Sequence, residues 1–215
     1  MTGAFITLEG GDGSGKTTQA ALLQGWLEAE GRTVVRTREP GGTELGVEIR
    51  RLVQHTEGHV APRAEALLYA ADRAHHVATL VRPALERGEV VLQDRYLDSS
   101  VAYQGAGREL EPGEIRELSL WAADGLLPDL TILLDLPPAQ GRERMAGRED
   151  APYDRLEEAG EAFAERVREA YLVLAAAEPE RFAPLRAAAR RTILERYDLR
   201  GVCLPRMVEF VERHG

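Results

Sequence analysis

The sequence contains a single cysteine, Cys203, so no pair of thiols can form an internal disulfide or a cluster of thiolate metal ligands. Such a chain suits a reducing compartment. No stretch approaches the ~20 apolar residues of a membrane-spanning helix, and the first residues do not combine a charged start with a long apolar run. We therefore expect a cytoplasmic protein without a membrane segment.

Positive charge is also scarce. The 215 residues include 27 Lys and Arg against 36 Asp and Glu, a net charge of -9. Because binding to a phosphate backbone draws on a basic excess, we expect no nucleic-acid partner. The length is that of one domain with one core, and we treat residues 1–215 as a single domain.

Lys16 is the only lysine, and every other basic residue is arginine. It lies in "GGDGSGKT", which matches the phosphate-loop pattern G-x-x-x-x-G-K-[ST]. Glycines let backbone N–H groups turn toward phosphate oxygens, Lys16 adds a compact charge, and Thr17 offers a hydroxyl to Mg²⁺. The motif therefore predicts a site for a nucleoside triphosphate, which the family resemblance described below identifies as ATP. Its residues are Gly10, Gly11, Asp12, Gly13, Ser14, Gly15, Lys16, Thr17 and Thr18.

Apolar runs alternate with helical patterns along the chain. The helical patterns cover residues 17–30 and 63–87. Strands are predicted at Ala4–Glu9, Arg32–Glu39, Gly88–Arg95 and Asp129–Leu136. This alternation predicts an α/β fold with a doubly wound parallel sheet.

Charged residues follow the predicted strands where the carboxyl edge of a sheet should lie, and ligands collect at that edge. They are Arg38, Glu39, Asp94, Arg95 and Asp135. For Glu39 or Asp135 alone, a surface ion pair is an equally good interpretation. For Asp94 and Arg95, which stand between an apolar strand and "YLDSS", a functional role is favoured.

Four motifs together resemble thymidylate kinase in order and spacing: "TREPGGT" (37–43), "LYAADR" (68–73), "DRY" (94–96) and "SSVAYQG" (99–105). The resemblance runs from Phe5 to Phe182. It implies a P-loop nucleoside monophosphate kinase fold, with a five-stranded parallel sheet flanked by helices and a mobile lid. It also implies a homodimer that phosphorylates dTMP to dTDP with ATP and Mg²⁺.

The sequence motifs also bear on two other functions. A kinase for another nucleoside monophosphate is the alternative, and base-edge residues discriminate between the two. A guanine-nucleotide switch is disfavoured because a chain with one lysine has no N-K-x-D motif.

The resemblance assigns roles around the acceptor phosphate and sugar. Asp12 is similar to the carboxylate that reaches the 3'-hydroxyl of the acceptor. Arg95 resembles the arginine that binds the acceptor phosphate, and Arg38 would lie near the same phosphate. Asp94 would help to hold Mg²⁺ together with Thr17.

The base and sugar contacts are implied in the same way. Tyr69 takes the position of an aromatic ring that stacks on thymine, while Arg73 and Ser100 match residues that hydrogen-bond the base edge. Tyr103 resembles the tyrosine that favours deoxyribose, and Gln104 belongs to the same substrate-binding motif.

Elementary chemistry agrees with these roles. A nucleoside monophosphate is already largely dianionic near neutral pH, so its oxygen needs no general base. Arginines and Mg²⁺ instead offset the repulsion between two anions. His75 and His76 are interpreted as surface or packing residues.

Residues 141–156 are predicted to form the lid. The family supplies one catalytic cation either from the phosphate loop or from the lid, and this loop contains no arginine. Arg148 is the first choice for that cation and Arg144 the second, while Arg142 lies in the same segment and Arg155 also matches a family position. The predicted catalytic set is Asp12, Lys16, Arg95, Arg148 and Arg144.

The resemblance ends after "ERFAPL". From Arg186 onward the sequence has seven arginines against four acidic residues and contains the only cysteine. An altered reading frame, a cloning difference and a lineage-specific tail are the three interpretations of residues 186–215.

Overall fold

The computed structural model describes residues 3–56, 58–146 and 160–186. Five parallel strands form one sheet in the order β2-β3-β1-β4-β5. The strands are β1 (Ala4–Glu9), β2 (Val34–Arg38), β3 (Val90–Asp94), β4 (Leu130–Asp135) and β5 (Phe182–Arg186). The predicted α/β class and five-stranded parallel sheet are confirmed.

The three central strands have almost wholly buried sequences, as a sheet covered on both faces requires. β1 has its predicted bounds, and the other three predicted strands are found with slightly later starts. β5 was not located by any sequence pattern. Its last residue is Arg186, where the predicted atypical tail begins, and the rest of that tail lies outside the described residues.

Helices cover both faces of the sheet. On one face, α1 (Lys16–Ala29) buries Ala20, Leu23 and Leu27 against β1, β3 and β4. These are the positions that the helical periodicity predicted. On the other face, the core includes Phe5 and Val91 from the sheet.

The predicted helix over residues 63–87 is divided into three parts. It comprises α3 (Pro62–His76), a π-helical turn (Val77–Val81) and α4 (Arg82–Glu86). The wider turn ends two residues before Pro83, which has no N–H and cannot donate to Thr79 in α-helical geometry.

The remaining helices frame the carboxyl edge of the sheet. They are α2 (Glu44–His55), α5 (Leu97–Ser100), α6 (Pro112–Ala122), α7 (Pro138–Ala146) and α8 (Glu161–Ala177). α5 continues as a π-helical segment, Val101–Gly107, which carries Tyr103 and Gln104. α7 covers residues 141–146 of the predicted lid, while Arg148 and Arg155 lie outside the described residues.

Strand order brings the predicted residues together. β1 is central and leads into the phosphate loop, and β3 and β4 flank it. The charged ends of β2, β3 and β4 therefore lie at the same edge as the loop. Within the described ranges, no helix is long and apolar enough to cross a membrane.

Candidate active site

Three glycines of the phosphate loop have positive φ angles. Gly10, Gly13 and Gly15 have φ angles of 131°, 73° and 97°, a region that side chains disfavour. A methyl group on Gly13 would also clash with the backbone carbonyl of Gly141 in α7. The loop and the base of the predicted lid are thus in direct contact.

The Lys16 ammonium is turned onto its own loop. Its Nζ donates to the carbonyl oxygens of Gly10 and Gly11, at 3.0 and 2.9 Å. Burial, with the nearby Arg95 charge, lowers the pKa of Lys16 to about 8. The group still carries a proton near neutral pH, so it can interact with a phosphate that enters the loop.

Thr17 and Asp94, the two residues predicted to hold Mg²⁺, are in contact. Thr17 Oγ1 donates to Asp94 Oδ2 at 3.3 Å, which joins the start of α1 to the end of β3. Both side chains offer hard oxygens of the kind that Mg²⁺ prefers, so the pair fits an ion whose other ligands are phosphate oxygens and water. No group of three His, Cys, Asp or Glu side chains among residues 3–56, 58–146 and 160–186 could hold a metal.

Arg95 lies at the centre of the predicted acceptor site. Its Nη2 donates to Asp12 Oδ1 at 2.5 Å and to the Tyr103 hydroxyl at 3.0 Å, and that hydroxyl donates to Asp12 Oδ2 at 3.1 Å. Burial alone would raise the pKa of Asp12, but Arg95 and Lys16 hold it below its ordinary value. Three residues predicted from separate motifs thus form one contact group.

A second set of contacts holds the other edge of Arg95, and sequence reasoning missed it. Nη1 donates to Ser99 Oγ at 3.2 Å and to the Tyr171 hydroxyl at 3.3 Å. Both hydroxyls lie against the buried carboxylate of Glu9. Burial, followed by the Asp98 charge, raises the pKa of Glu9 to about 7. Its position as the last residue of β1 was the signal that could have found it.

Arg73 and Ser100, the predicted base-edge pair, are hydrogen-bonded to each other. Arg73 Nη2 donates to Ser100 Oγ at 3.0 Å, and Nη1 donates to Ser119 Oγ at the same distance. Tyr69 lies one helical turn before Arg73 on α3 and is also buried. The structure therefore groups these three predicted residues.

Glu39 and His76 are buried, which bears on the surface interpretation offered for each of them. Glu39 is 3 % exposed and accepts from Arg73 Nε at 3.0 Å, so it is not part of a surface ion pair. His76 is fully buried, with Nδ1 3.1 Å from Glu39 and Nε2 2.7 Å from Thr37 Oγ1. The packing interpretation holds for His76, and the surface one is wrong because α3 turns it toward β2.

The remaining predicted contacts lie at the margin of the site. Gln104 Nε2 donates to the buried Glu65 at 3.0 Å. Arg38 is exposed and is the register partner of Asp94. Asp135 is buried and accepts from the partly exposed Arg168 of α8 at 2.7 and 3.2 Å, so it forms an ion pair, although not one at the surface.

One lid arginine reaches the phosphate loop. Arg144 Nη1 lies 3.5 Å from the Gly13 carbonyl oxygen. Arg142 pairs with Glu161 at 3.0 Å instead. Of the predicted lid cations within the described ranges, Arg144 is therefore the one in contact with the loop.

The chain has many close relatives. A family model described as thymidylate kinase matches residues 8–196. Thymidylate kinase from Clavibacter michiganensis is 71% identical over 191 residues, 89% of this chain and 90% of that protein. The enzyme of the same name from Leifsonia xyli is 73% identical over 180 residues, with 84% and 85% covered. The crystal structure of thymidylate kinase from Ehrlichia chaffeensis superposes with a TM-score of 0.72 at 30% identity, covering 91% of this chain and 98% of that one.

Proposed function

The chain belongs to the thymidylate kinase family, and from this premise we propose how its residues transfer the γ-phosphoryl group of ATP to dTMP. The observation that carries the proposal is the contact group of Asp12, Arg95 and Tyr103, which adjoins a phosphate loop. A donor site and an acceptor site therefore share the residue Asp12. The products are dTDP and ADP.

Positioning and charge neutralisation supply the catalysis. The phosphate of dTMP is itself the nucleophile, and Arg95 donates hydrogen bonds to it. Lys16 leaves its two carbonyl partners and donates to the β- and γ-phosphates of ATP. Asp12 accepts from the 3'-hydroxyl of the acceptor sugar. Removal of one such charged donor typically lowers kcat by about 10²–10³-fold.

Mg²⁺ is the cofactor of the proposed reaction. Thr17 and Asp94 would hold it, Asp94 through water, because their oxygens are adjacent at the loop. When bound, the ion would supply charge neutralisation to the phosphate oxygens during transfer. Asp94 and Thr17 would hold it beside Lys16.

The base contacts favour thymine. Arg73 N–H groups suit the O4 acceptor of thymine, with Ser100 beside them and Tyr69 as the stacking ring. Tyr103 lies where the deoxyribose would pack, Gln104 completes the motif, and Arg38 stands near the acceptor phosphate. A kinase for another nucleoside monophosphate is the alternative function.

A coupled assay for ADP release tests both functions. We expect ADP formation to accelerate with dTMP far more than with dUMP, UMP, CMP, AMP or GMP. If dTMP gives no acceleration while another monophosphate does, the alternative replaces the leading proposal.

The lid completes the site in this proposal. Arg148 remains the first candidate for the lid cation, and Arg144, which lies near Gly13, is the second. The residue that acts would stabilise charge on the transferred phosphoryl group, as mobile arginines do in related reactions.

The proposed assembly is a homodimer. Each subunit is one kinase domain, residues 1–215, and the proposed location is the cytoplasm, where ATP and dTMP are found. Exposed apolar side chains occur on α2, α3 and α6, and α3 packs against both other helices. They are Leu45, Val47, Leu52, Leu67 and Trp121. Trp121 is 81% exposed, so Trp121→Glu should convert a dimer to a monomer in analytical ultracentrifugation. A wild-type monomer would contradict this assembly.

A further inference from the structure

We propose that Tyr171 and Glu9 are positioning residues for Arg95. They determine which way the hydroxyl protons point along one edge of its guanidinium group. They thereby set the orientation in which Arg95 meets the acceptor phosphate. This inference rests on the phosphoryl-transfer function proposed above and adds two residues to it.

The guanidinium of Arg95 has two edges with different partners. Nη2 faces Asp12 and Tyr103, the residues assigned to the acceptor. Nη1 faces the hydroxyls of Ser99 and Tyr171, at 3.2 and 3.3 Å. A planar guanidinium held along one edge presents its other edge in a fixed direction. The Nη1 contacts therefore orient the edge that meets the substrate.

Glu9 limits the directions open to the hydroxyl protons. Its Oε2 accepts from Ser99 Oγ at 2.6 Å and from the Tyr171 hydroxyl at 2.8 Å. The two hydroxyl oxygens also lie 2.8 Å apart, so one can donate to the other. Arg95 only donates, and a hydroxyl has a single proton. With Glu9 as an acceptor, both protons point at the carboxylate or at the neighbouring hydroxyl, and lone pairs face Arg95. With Glu9 replaced by an amide, a hydroxyl proton could turn toward the guanidinium instead.

The carboxylate is itself held in place. Its Oε1 accepts from the backbone N–H of Tyr96 at 2.7 Å. Glu9 is fully buried and Tyr171 is 1% exposed, so water cannot take over a lost contact without rearrangement. The charged groups that act on Glu9 are Asp98 and Arg95, and Glu9 in turn acts on Lys16.

The aromatic rings add rigidity. The Arg95 guanidinium lies 4.8 Å from the centre of the Tyr103 ring, and the Tyr103 and Tyr171 rings pack edge to face at 6.4 Å. Tyr171 belongs to α8, which also contacts α7. Through Tyr171, the helix that follows the predicted lid thus reaches the arginine that would bind the acceptor phosphate.

Tyr171→Phe tests the inference because it removes one oxygen and keeps the ring. We expect kcat/KM for dTMP to fall by about 10–100-fold, since small misplacements of a reacting group have effects of this size. KM for ATP should stay within about twofold, because the hydrogen bonds of Tyr171 within the described residues go to Glu9, Arg95 and Ser99 and not to the phosphate loop. Glu9→Gln should give the same pattern. If Tyr171→Phe or Glu9→Gln fails to fold, Ser99→Ala takes its place and should also give this pattern.

Thr7→Val is the matched control. It also removes a buried hydroxyl, which lies 3.0 Å from the Thr131 hydroxyl, and neither threonine belongs to the proposed site. We expect wild-type kinetics from it. An equal loss of activity in Thr7→Val and Tyr171→Phe would show a general loosening of the fold and overturn the inference.

A double-mutant cycle separates positioning from stability. In an Arg95→Lys background, Tyr171→Phe should lower kcat/KM for dTMP no further, because its effect acts through the guanidinium. Additive losses would overturn the inference. If the wild-type protein shows no dTMP-dependent ADP formation, the proposed function itself is wrong. If the wild type is active and Tyr171→Phe has the same kcat/KM for dTMP, only this inference is wrong.

Discussion

Arg73 donates from Nε to Glu39 Oε2 at 3.0 Å, and both side chains are almost completely buried. Because Glu39 offsets the charge of the proposed base-reading arginine, its loss would leave that charge uncompensated. Glu39→Ala should lower the free energy of unfolding by about 3–5 kcal/mol, as for other broken buried pairs. It should also raise KM for dTMP. Urea denaturation and steady-state kinetics measure the two effects.

Glu48→Ala is the control for that substitution. Glu48 pairs with Arg51 at 3.3 Å on the exposed face of α2, where both side chains are about two-thirds exposed. Its removal should change stability by less than about 1 kcal/mol and leave KM unchanged. Similar losses in the two variants would contradict the special role of the buried pair.

Asp12→Ala should impair use of dTMP more than binding of ATP. Asp12 contacts Arg95 and Tyr103 on the acceptor side, whereas Lys16 and the loop glycines remain for ATP. We expect kcat/KM for dTMP to fall by about 10²-fold or more. Calorimetric titration with ATP should give a Kd within a few-fold of wild type. A larger loss in ATP affinity than in dTMP use would refute the assignment.

Arg148→Ala should lower turnover with little loss of dTMP affinity. A lid cation that acts on the transferred phosphoryl group contributes mainly in the transition state, so kcat should fall by about 10²-fold. Arg144→Ala is measured in parallel, and the larger decrease identifies the acting residue. Arg63→Ala, at an exposed position near the start of α3, serves as the control and should be neutral.

Glu9 should make stability depend on pH. Burial raises the pKa of Glu9 to about 7 in the folded protein from an ordinary value of 4.5. Between these values the folded state holds a proton that the unfolded state has released. The contribution of this proton to the free energy of unfolding is therefore complete below about pH 4.5 and is lost as the pH rises through 7.

Glu9→Gln has no such proton, so its unfolding free energy relative to wild type should increase from pH 5 to pH 8. Urea midpoints at both pH values measure this difference. Burial raises the pKa of Asp72 to about 6, but that carboxyl is present in both proteins and cancels in the comparison. A difference that does not change with pH would contradict the assigned shift.

Part of this candidate site could be predicted from the sequence. A short motif predicts the placement of Lys16 and Thr17. The rule that parallel strands end at one edge of a sheet predicts that Asp94 and Arg95 lie beside them. The same rule and the alternation of elements gave the α/β class. These features depend on residues close together in sequence or on the sheet as a whole.

Other features depend on packing between distant segments. Tyr171 is 76 residues from Arg95, and nothing in α8 distinguishes its hydroxyl from that of a core tyrosine. Pro184 lacks the N–H of a ladder residue, so "FAPLR" does not have a strand pattern. β5 tolerates this proline because, among the described strands, it lies at the edge of the sheet and pairs with β4 alone. Assigned roles for Tyr69, Gln104 and Arg38 remain predictions.

The contact between Gly13 and Gly141 limits how this enzyme could change. Neither position has space for a side chain, because each glycine lies against the backbone of the other's segment. An arginine introduced at position 13 would displace α7, the helix that leads into the predicted lid. The two placements of the catalytic cation that the family resemblance implies are therefore expected to exclude one another in this scaffold. A transition between them requires a coordinated change in both segments rather than one substitution.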